Sequence, residues 1–309
     1  MDITQRSTSP LMKDIFGEDV NIILDDYNSR ISALIREHPY LEEALLGCVN
    51  RTGFLLPYMS AEYAYYSIRG SFIPRRIKGV VRSFGLVGLA VSVDDDIVDE
   101  YSGDQLKMIS SVSVSELIQN MAYTDLFSFS NLREAEITLS EIRNALRFVV
   151  KYQYADSKNV TEGFDFSSYF DATNKTVCPI RYGMRLGIRL AGDERYIPPA
   201  EELSGYLGTT LQLLDDLLDL EDDIKNYKHS VTLPMYLIEK GESLSEVFNI
   251  IGGLLDKSSE VVEVFPYSEK MASMVAGFKR VAAKVEQKVL AGSVRLEGSL
   301  ASSPASSST

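Results

Sequence analysis

Two histidines (His38, His229), two cysteines (Cys48, Cys178) and no tryptophan occur among 309 residues. Each scarcity removes a class of chemistry. Two cysteines far apart in the chain cannot build a disulfide framework, nor a zinc site of four cysteines or of paired cysteines and histidines. A Ser-His-Asp triad would have to use one of two histidines, and neither sits in a catalytic context. Basic residues are also in short supply. Lys and Arg total 31 against 44 Asp and Glu, a formal net charge of -13, which argues against nucleic acid as a partner. Any metal should therefore be a hard cation held by oxygen. No basic, apolar-cored leader is visible at Met1-Asp2-Ile3-Thr4. The longest apolar run, Phe84 to Val93, is about half the roughly 20 residues of a membrane span, so no transmembrane segment is expected. Sparse cysteine makes a cytoplasmic setting the expectation.

Proline is missing between Pro74 and Pro179, and that stretch has no Asn-Gly or Asp-Gly hairpin signal. Apolar residues recur there at three- and four-residue spacing, as in Ile137, Leu139, Ile142, Leu146, Val149 and Val150. The pattern predicts helices over 13–36, 40–56, 58–69, 75–101, 114–125, 131–157, 166–191, 199–226, 232–240, 243–257 and 266–291. The fold class read from this is all-α, a single-domain bundle of about ten helices spanning 13–295. A flexible N-terminus over 1–12 and a small, polar, disordered tail over 296–309 complete the expected organisation.

What the chain has in abundance is aspartate, concentrated in two places. One is Ser92-Val93-Asp94-Asp95-Asp96-Ile97-Val98-Asp99-Glu100; the other runs from Gln212 through Asp215-Asp216-Leu217-Leu218-Asp219 to Asp222-Asp223. Both contain Asp-Asp-x-x-Asp. On a helix Asp95 and Asp99 share a face, as do Asp215 and Asp219, so each cluster offers two carboxylates one turn apart. Such pairs can bridge Mg²⁺ while leaving ligand positions for water and phosphate oxygens. Solvated acidic faces are the ordinary explanation of a charge run. Here, however, the clusters sit in apolar helices, where unpaired carboxylates repel and are poorly solvated unless a cation compensates. A calcium EF-hand is excluded, because its sixth loop position would need glycine where Asp99 stands.

Taken in order, these residues resemble the trans-isoprenyl diphosphate synthases (polyprenyl synthetases) and the class I terpene synthases related to them. Asp95-Asp96-Ile97-Val98-Asp99 looks like the first aspartate-rich motif and Gln153-x-x-Asp156 like the element that follows. Lys175-Thr176 is similar to a pair that contacts the allylic diphosphate. Gly208-x-x-x-Gln212 leading into Asp215-Asp216-Leu217-Leu218-Asp219 resembles the second motif. Lys228 before Thr232-Leu233-Pro234 looks like the closing Lys-x-Thr-Leu-Pro, with two residues inserted. The resemblance implies a helical bundle around a central cavity, with the two motifs facing each other across it. It also implies three Mg²⁺ ions held by Asp95, Asp96, Asp99, Asp215, Asp216 and Asp219, with Asp95, Asp99 and Asp215 catalytic. Lys175, Gln212 and Lys228 would meet the substrate diphosphate, and the assembly would be a homodimer.

The resemblance breaks where a second substrate, isopentenyl diphosphate, would bind. The expected Arg-Arg-Gly after the first motif is replaced by Glu100-Tyr101-Ser102-Gly103-Asp104. A diphosphate beside Glu100 and Asp104 without guanidinium partners would be poorly held. The reading is therefore a single-substrate enzyme. It would ionise a linear allylic prenyl diphosphate of C15 to C25, and the cation would then cyclise or lose a proton. Arg69, Arg75 and Arg76 are candidates for a rebuilt second phosphate site, which keeps a chain-elongating prenyltransferase as the alternative. A non-catalytic partner subunit is a third possibility. Small residues at Ala90 and Val91, just before Asp95, imply by resemblance a deep pocket. Tyr63, Tyr65, Tyr66, Phe84, Tyr152, Phe166 and Phe170 are aromatic candidates to face a carbocation.

Overall fold

The computed structural model describes residues 10–47, 52–100, 105–129 and 131–300. Every regular element among them is helical. In chain order these are α1 (Pro10–Phe16), α2 (Asp19–Glu37), α3 (Glu42–Gly47), α4 (Thr52–Arg69), α5 (Lys78–Glu100), α6 (Gln105–Phe129) and α7 (Leu132–Glu162). There follow α8 (Phe166–Ala191), α9 (Ile197–Leu218), α10 (Leu220–Asn226), α11 (Leu233–Glu239), α12 (Ser245–Val262) and α13 (Glu269–Leu300). Single 3₁₀ turns at Pro39–Leu41, Arg75–Ile77 and Glu194–Tyr196 lead into α3, α5 and α9.

The long helices begin and end where the local chemistry says they should. Asn131 and Glu134 form a reciprocal capping box at the start of α7. Asp165 accepts from the Ser168 amide to open α8, and Gly192 closes it in the left-handed conformation. Two expected helices are each divided. Gly17, at φ +66°, separates α1 from α2, and Asp219 ends α9 before α10 restarts. The boundaries of the expected domain also shift. Pro10 already starts α1, with Met12 fully buried, and α13 continues to Leu300.

Helix α8 is the hub, packed on α4, α7 and α9, while α5 packs on α4 and α6. Glycine makes the closest approaches possible. A Cβ on Gly187 would fall 2.1 Å from the Ala61 carbonyl oxygen, and one on Gly208 would fall 2.5 Å from Val177 Cα. Gly183 lies against Pro57 and Gly187 against Ala61, so α4 and α8 run parallel, with the first turn of α4 beside the middle of α8, near Cys178. The last turn of α5 reaches the level of the first turn of α8, since Gly85 meets Phe54 and α5 runs the opposite way.

Candidate active site

A cavity of about 370 Å³ opens among α5, α7, α8 and α9. Along α5 the lining positions are Phe84, Val87, Gly88, Val91 and Ser92, a period of three and four that reaches positions 95 and 99 if continued. The side chains of Asp95, Asp96 and Asp99 lie outside the described residues. Ile142, Ala145, Leu146 and Val149 line the cavity from α7, with Asp156 further along; α9 contributes Leu211, Gln212, Asp215 and Asp216. The wall is thus apolar along its length and ionisable at one end. Val91 belongs to this wall, whereas Ala90 is buried on another side of α5.

Asp215 faces the cavity. Enclosure by protein, then repulsion from Asp219, pushes its pKa up to about 6, against the pull of Lys175. Asp219 is also raised, first by partial burial and then by Asp222; Asp223 rises to about 6 through partial burial, Asp219, Asp215 and Asp222. Asp216 is different. It is only 6% exposed, its Oδ2 accepts from the Tyr169 hydroxyl at 2.6 Å, and its Oδ1 accepts from Gln212 Nε2 at 2.9 Å. Burial pushes it up to about 7 while those two hydrogen bonds act the other way. The Gln212 carbonyl accepts from Thr176 Oγ1, so Gln212 braces α8 against α9 rather than offering a free amide to a phosphate. Lys175 Nζ is 3.3 Å from Asp156 Oδ2, across from α7. Pro179 is a further lining residue, inside α8.

The donors fit a hard divalent cation: they are all oxygen, and several are desolvated, mutually repelling carboxylates. Among the described residues no three metal-ligating side chains converge on one point. Asp215 lines the cavity, and Asp219 and Asp223 stand near enough for their charges to repel it and one another.

Other expected residues are not brought here. Lys228 is exposed on the segment joining α10 to α11; Val231 and Thr232 of that segment line the cavity, but Lys228 does not. Arg75 and Arg76 form the turn before α5, and the helix carries Asp95 about 26 Å from its first residue. Arg69 reaches Gly192 at the far end of α8, about 26 Å along that helix from Lys175. The three arginines thus lie at the opposite end of the bundle from the carboxylates, which corrects the expectation of a second phosphate site there. Of the seven aromatic candidates only Phe84 lines the cavity. Sequence reading missed Tyr169, whose signal is its place six residues before Lys175 on a face with Ala172, Thr173 and Thr176, and Met12, for which no sequence signal exists.

This is the all-α isoprenoid-synthase fold. By sequence the chain matches no family model and no curated protein. By structure it is similar to a decaprenyl diphosphate synthase from Rhodobacter capsulatus, with a TM-score of 0.65 and 16% identity over 87% of this chain and 99% of that one. A geranylgeranyl pyrophosphate synthetase from the archaeon Geoglobus acetivorans superimposes with a TM-score of 0.64 and 18% identity, over 86% and 99%. A polyprenyl synthase from Caulobacter crescentus CB15, complexed with calcium and isoprenyl diphosphate, gives 0.62 and 15% identity over 90% and 99%.

Proposed function

We propose that the protein is a metal-dependent prenyltransferase that ionises an allylic prenyl diphosphate and joins the cation to isopentenyl diphosphate. The observation that carries it is one cavity, apolar along its wall, with a lysine and mutually repelling carboxylates gathered at one end. The apolar wall suits a prenyl chain and the charged end a diphosphate. The structural similarity to a decaprenyl diphosphate synthase and a geranylgeranyl pyrophosphate synthetase supports the same reading.

Asp215 and Asp219 are assigned as metal ligands, with Asp95, Asp96 and Asp99 opposite, for up to three Mg²⁺ ions. When bound, the metal would supply charge neutralisation of the departing diphosphate. Lys175 adds a fixed positive charge for a phosphate oxygen, exchanging its contact with Asp156. Breaking the allylic C–O bond leaves a cation against the apolar wall of the cavity, where each fixed dipole counts for more than in solution. The double bond of isopentenyl diphosphate then attacks the cation, and the resulting tertiary cation gives a proton to the released diphosphate, which restores a double bond and leaves an allylic diphosphate five carbons longer.

A second reading, ionisation followed by cyclisation or elimination without isopentenyl diphosphate, is favoured by one observation: no arginine lines the cavity among the described residues. Purified protein with Mg²⁺ and geranyl, farnesyl or geranylgeranyl diphosphate, each with and without isopentenyl diphosphate, separates the two. Longer diphosphates formed only with isopentenyl diphosphate support transfer; hydrocarbon or alcohol from the allylic substrate alone supports the second reading.

A homodimer is also proposed. Helix α6 packs one side on α5 and exposes Met108, Ile109, Val112, Tyr123 and Phe127 on the other, a face suited to a second copy of the chain. A reducing, cytoplasmic setting is assigned on the scarcity of cysteine.

A further inference from the structure

The cavity's apolar end is closed by a residue from outside its four helical walls. Met12, on the short first helix, is fully buried and lines the cavity together with Leu56, Pro57 and Phe84. These mark its deep end. Phe84 is eleven positions before Asp95 on α5, about 16 Å along the helix. Pro57 lies level with Gly183, past the last α8 residue of the lining. Helix α1 follows α4 at this depth, since the Tyr63 hydroxyl donates to the Phe16 carbonyl at 3.1 Å and Met12 is one turn earlier.

We propose that Met12 is a specificity-determining residue: α1 is the floor of the cavity, and the Met12 side chain sets the longest prenyl chain the site accepts. The inference rests on the prenyl-diphosphate reading of the same cavity. A shaft of about 16 Å holds roughly three five-carbon units at about 5 Å each when extended. The floor, with Leu56, Pro57 and Phe84 beside it, then stands between the third unit and the layer formed by α1 and α13. Methionine suits that position, because an unbranched thioether fills an irregular end and yields to a small change in chain length. Helix α1 is anchored without Met12. Asp14 accepts from Lys284 Nζ at 2.6 Å through its carboxylate and from Arg280 Nη2 at 2.9 Å through its carbonyl. The Ile15 carbonyl also sits where only glycine, Gly277, leaves room on α13. Changes at residue 12 therefore alter the floor without detaching the helix.

The test compares the wild type with Met12→Ala, Met12→Phe and the volume-conserving Met12→Leu. Each receives Mg²⁺, allylic diphosphates of ten to twenty-five carbons and isopentenyl diphosphate, and the longest chain processed is read by mass spectrometry. Met12→Ala should lengthen it by one five-carbon unit, Met12→Phe should shorten it by one, and Met12→Leu should leave it unchanged. In parallel, unreactive saturated n-alkyl diphosphates of the same lengths are titrated by calorimetry. Affinity should tighten about fourfold per added CH₂ until a ceiling that moves in the same order among the variants. Turnover with one longest chain in all folded variants, and a ceiling that does not move, would overturn the floor and leave the reaction standing. No turnover in the wild type, with a ceiling that still follows residue 12, would overturn the reaction and leave the floor standing.

Discussion

Asp215 and Asp216 adjoin in sequence and differ in every circumstance that matters for binding a cation. Asp216 is buried and spends both oxygens on Tyr169 and Gln212, whereas Asp215 faces the cavity beside Asp219 with its charge disfavoured. The account expects Asp215→Asn to cut turnover by at least about 10² to 10³, the scale of losing one preorganised charge contact. The metal-free fold should keep its helicity by circular dichroism and melt no lower than the wild type, because a repelling carboxylate has gone. Tyr169→Phe should instead cost stability, about 1–3 kcal/mol in urea unfolding, since it strips a hydroxyl from the buried Asp216.

The raised carboxylates also set a pH dependence. Asp215, Asp216 and Asp223 titrate near 6 to 7 when folded, above the ordinary aspartate value of 3.8, so the folded chain binds more protons than the unfolded one between those limits. Stability of the metal-free protein should therefore fall as pH rises from 5 to 7.5. Scanning calorimetry with and without Mg²⁺ checks this: Mg²⁺ should raise the melting temperature more at pH 7.5 than at pH 5.

At the scale of the element, the site depends on how closely α8 and α9 approach. Gly208, the entry residue of the Gly-x-x-x-Gln pattern, leaves Val177 Cα no room for a Cβ beside it. Gly208→Ala should part the two helices, costing about 1–3 kcal/mol in unfolding and weakening the bond between Thr176 and Gln212. A rise in the Mg²⁺ concentration needed for half-maximal turnover would mark the displacement of Asp215. Most helices were legible from their apolar period, and α8 begins and ends at the residues expected, because its cap signals are strong. The breaks at Gly17 and Asp219 were not, since apolar periodicity runs on through both. The aspartate clusters were legible from composition and spacing, whereas Lys175 came only from the resemblance to the prenyl synthases. The remote placement of Arg69, Arg75 and Arg76 was not, because sequence proximity to Asp95 conceals the length of a helix. Met12 was invisible for a similar reason: only packing brings α1 to the cavity.

For the whole molecule, the exposed apolar face of α6 asks for a cover. Phe127 is 68% exposed, and Tyr123 stands one turn away on the same stripe. Light scattering should give twice the chain mass for the wild type and a single chain mass for Tyr123→Glu combined with Phe127→Glu; a monomeric wild type would remove the dimer from the account. The apolar cavity wall and the repelling carboxylates at one end are the features on which the proposed substrate rests, a diphosphate carrying a prenyl chain. The most direct measurement incubates the purified protein with Mg²⁺ and farnesyl diphosphate, with and without isopentenyl diphosphate, and reads the products by mass spectrometry. The account predicts a prenyl diphosphate five carbons longer, formed only when both substrates and the metal are present. Release of diphosphate with a hydrocarbon or alcohol product, independent of isopentenyl diphosphate, would contradict it.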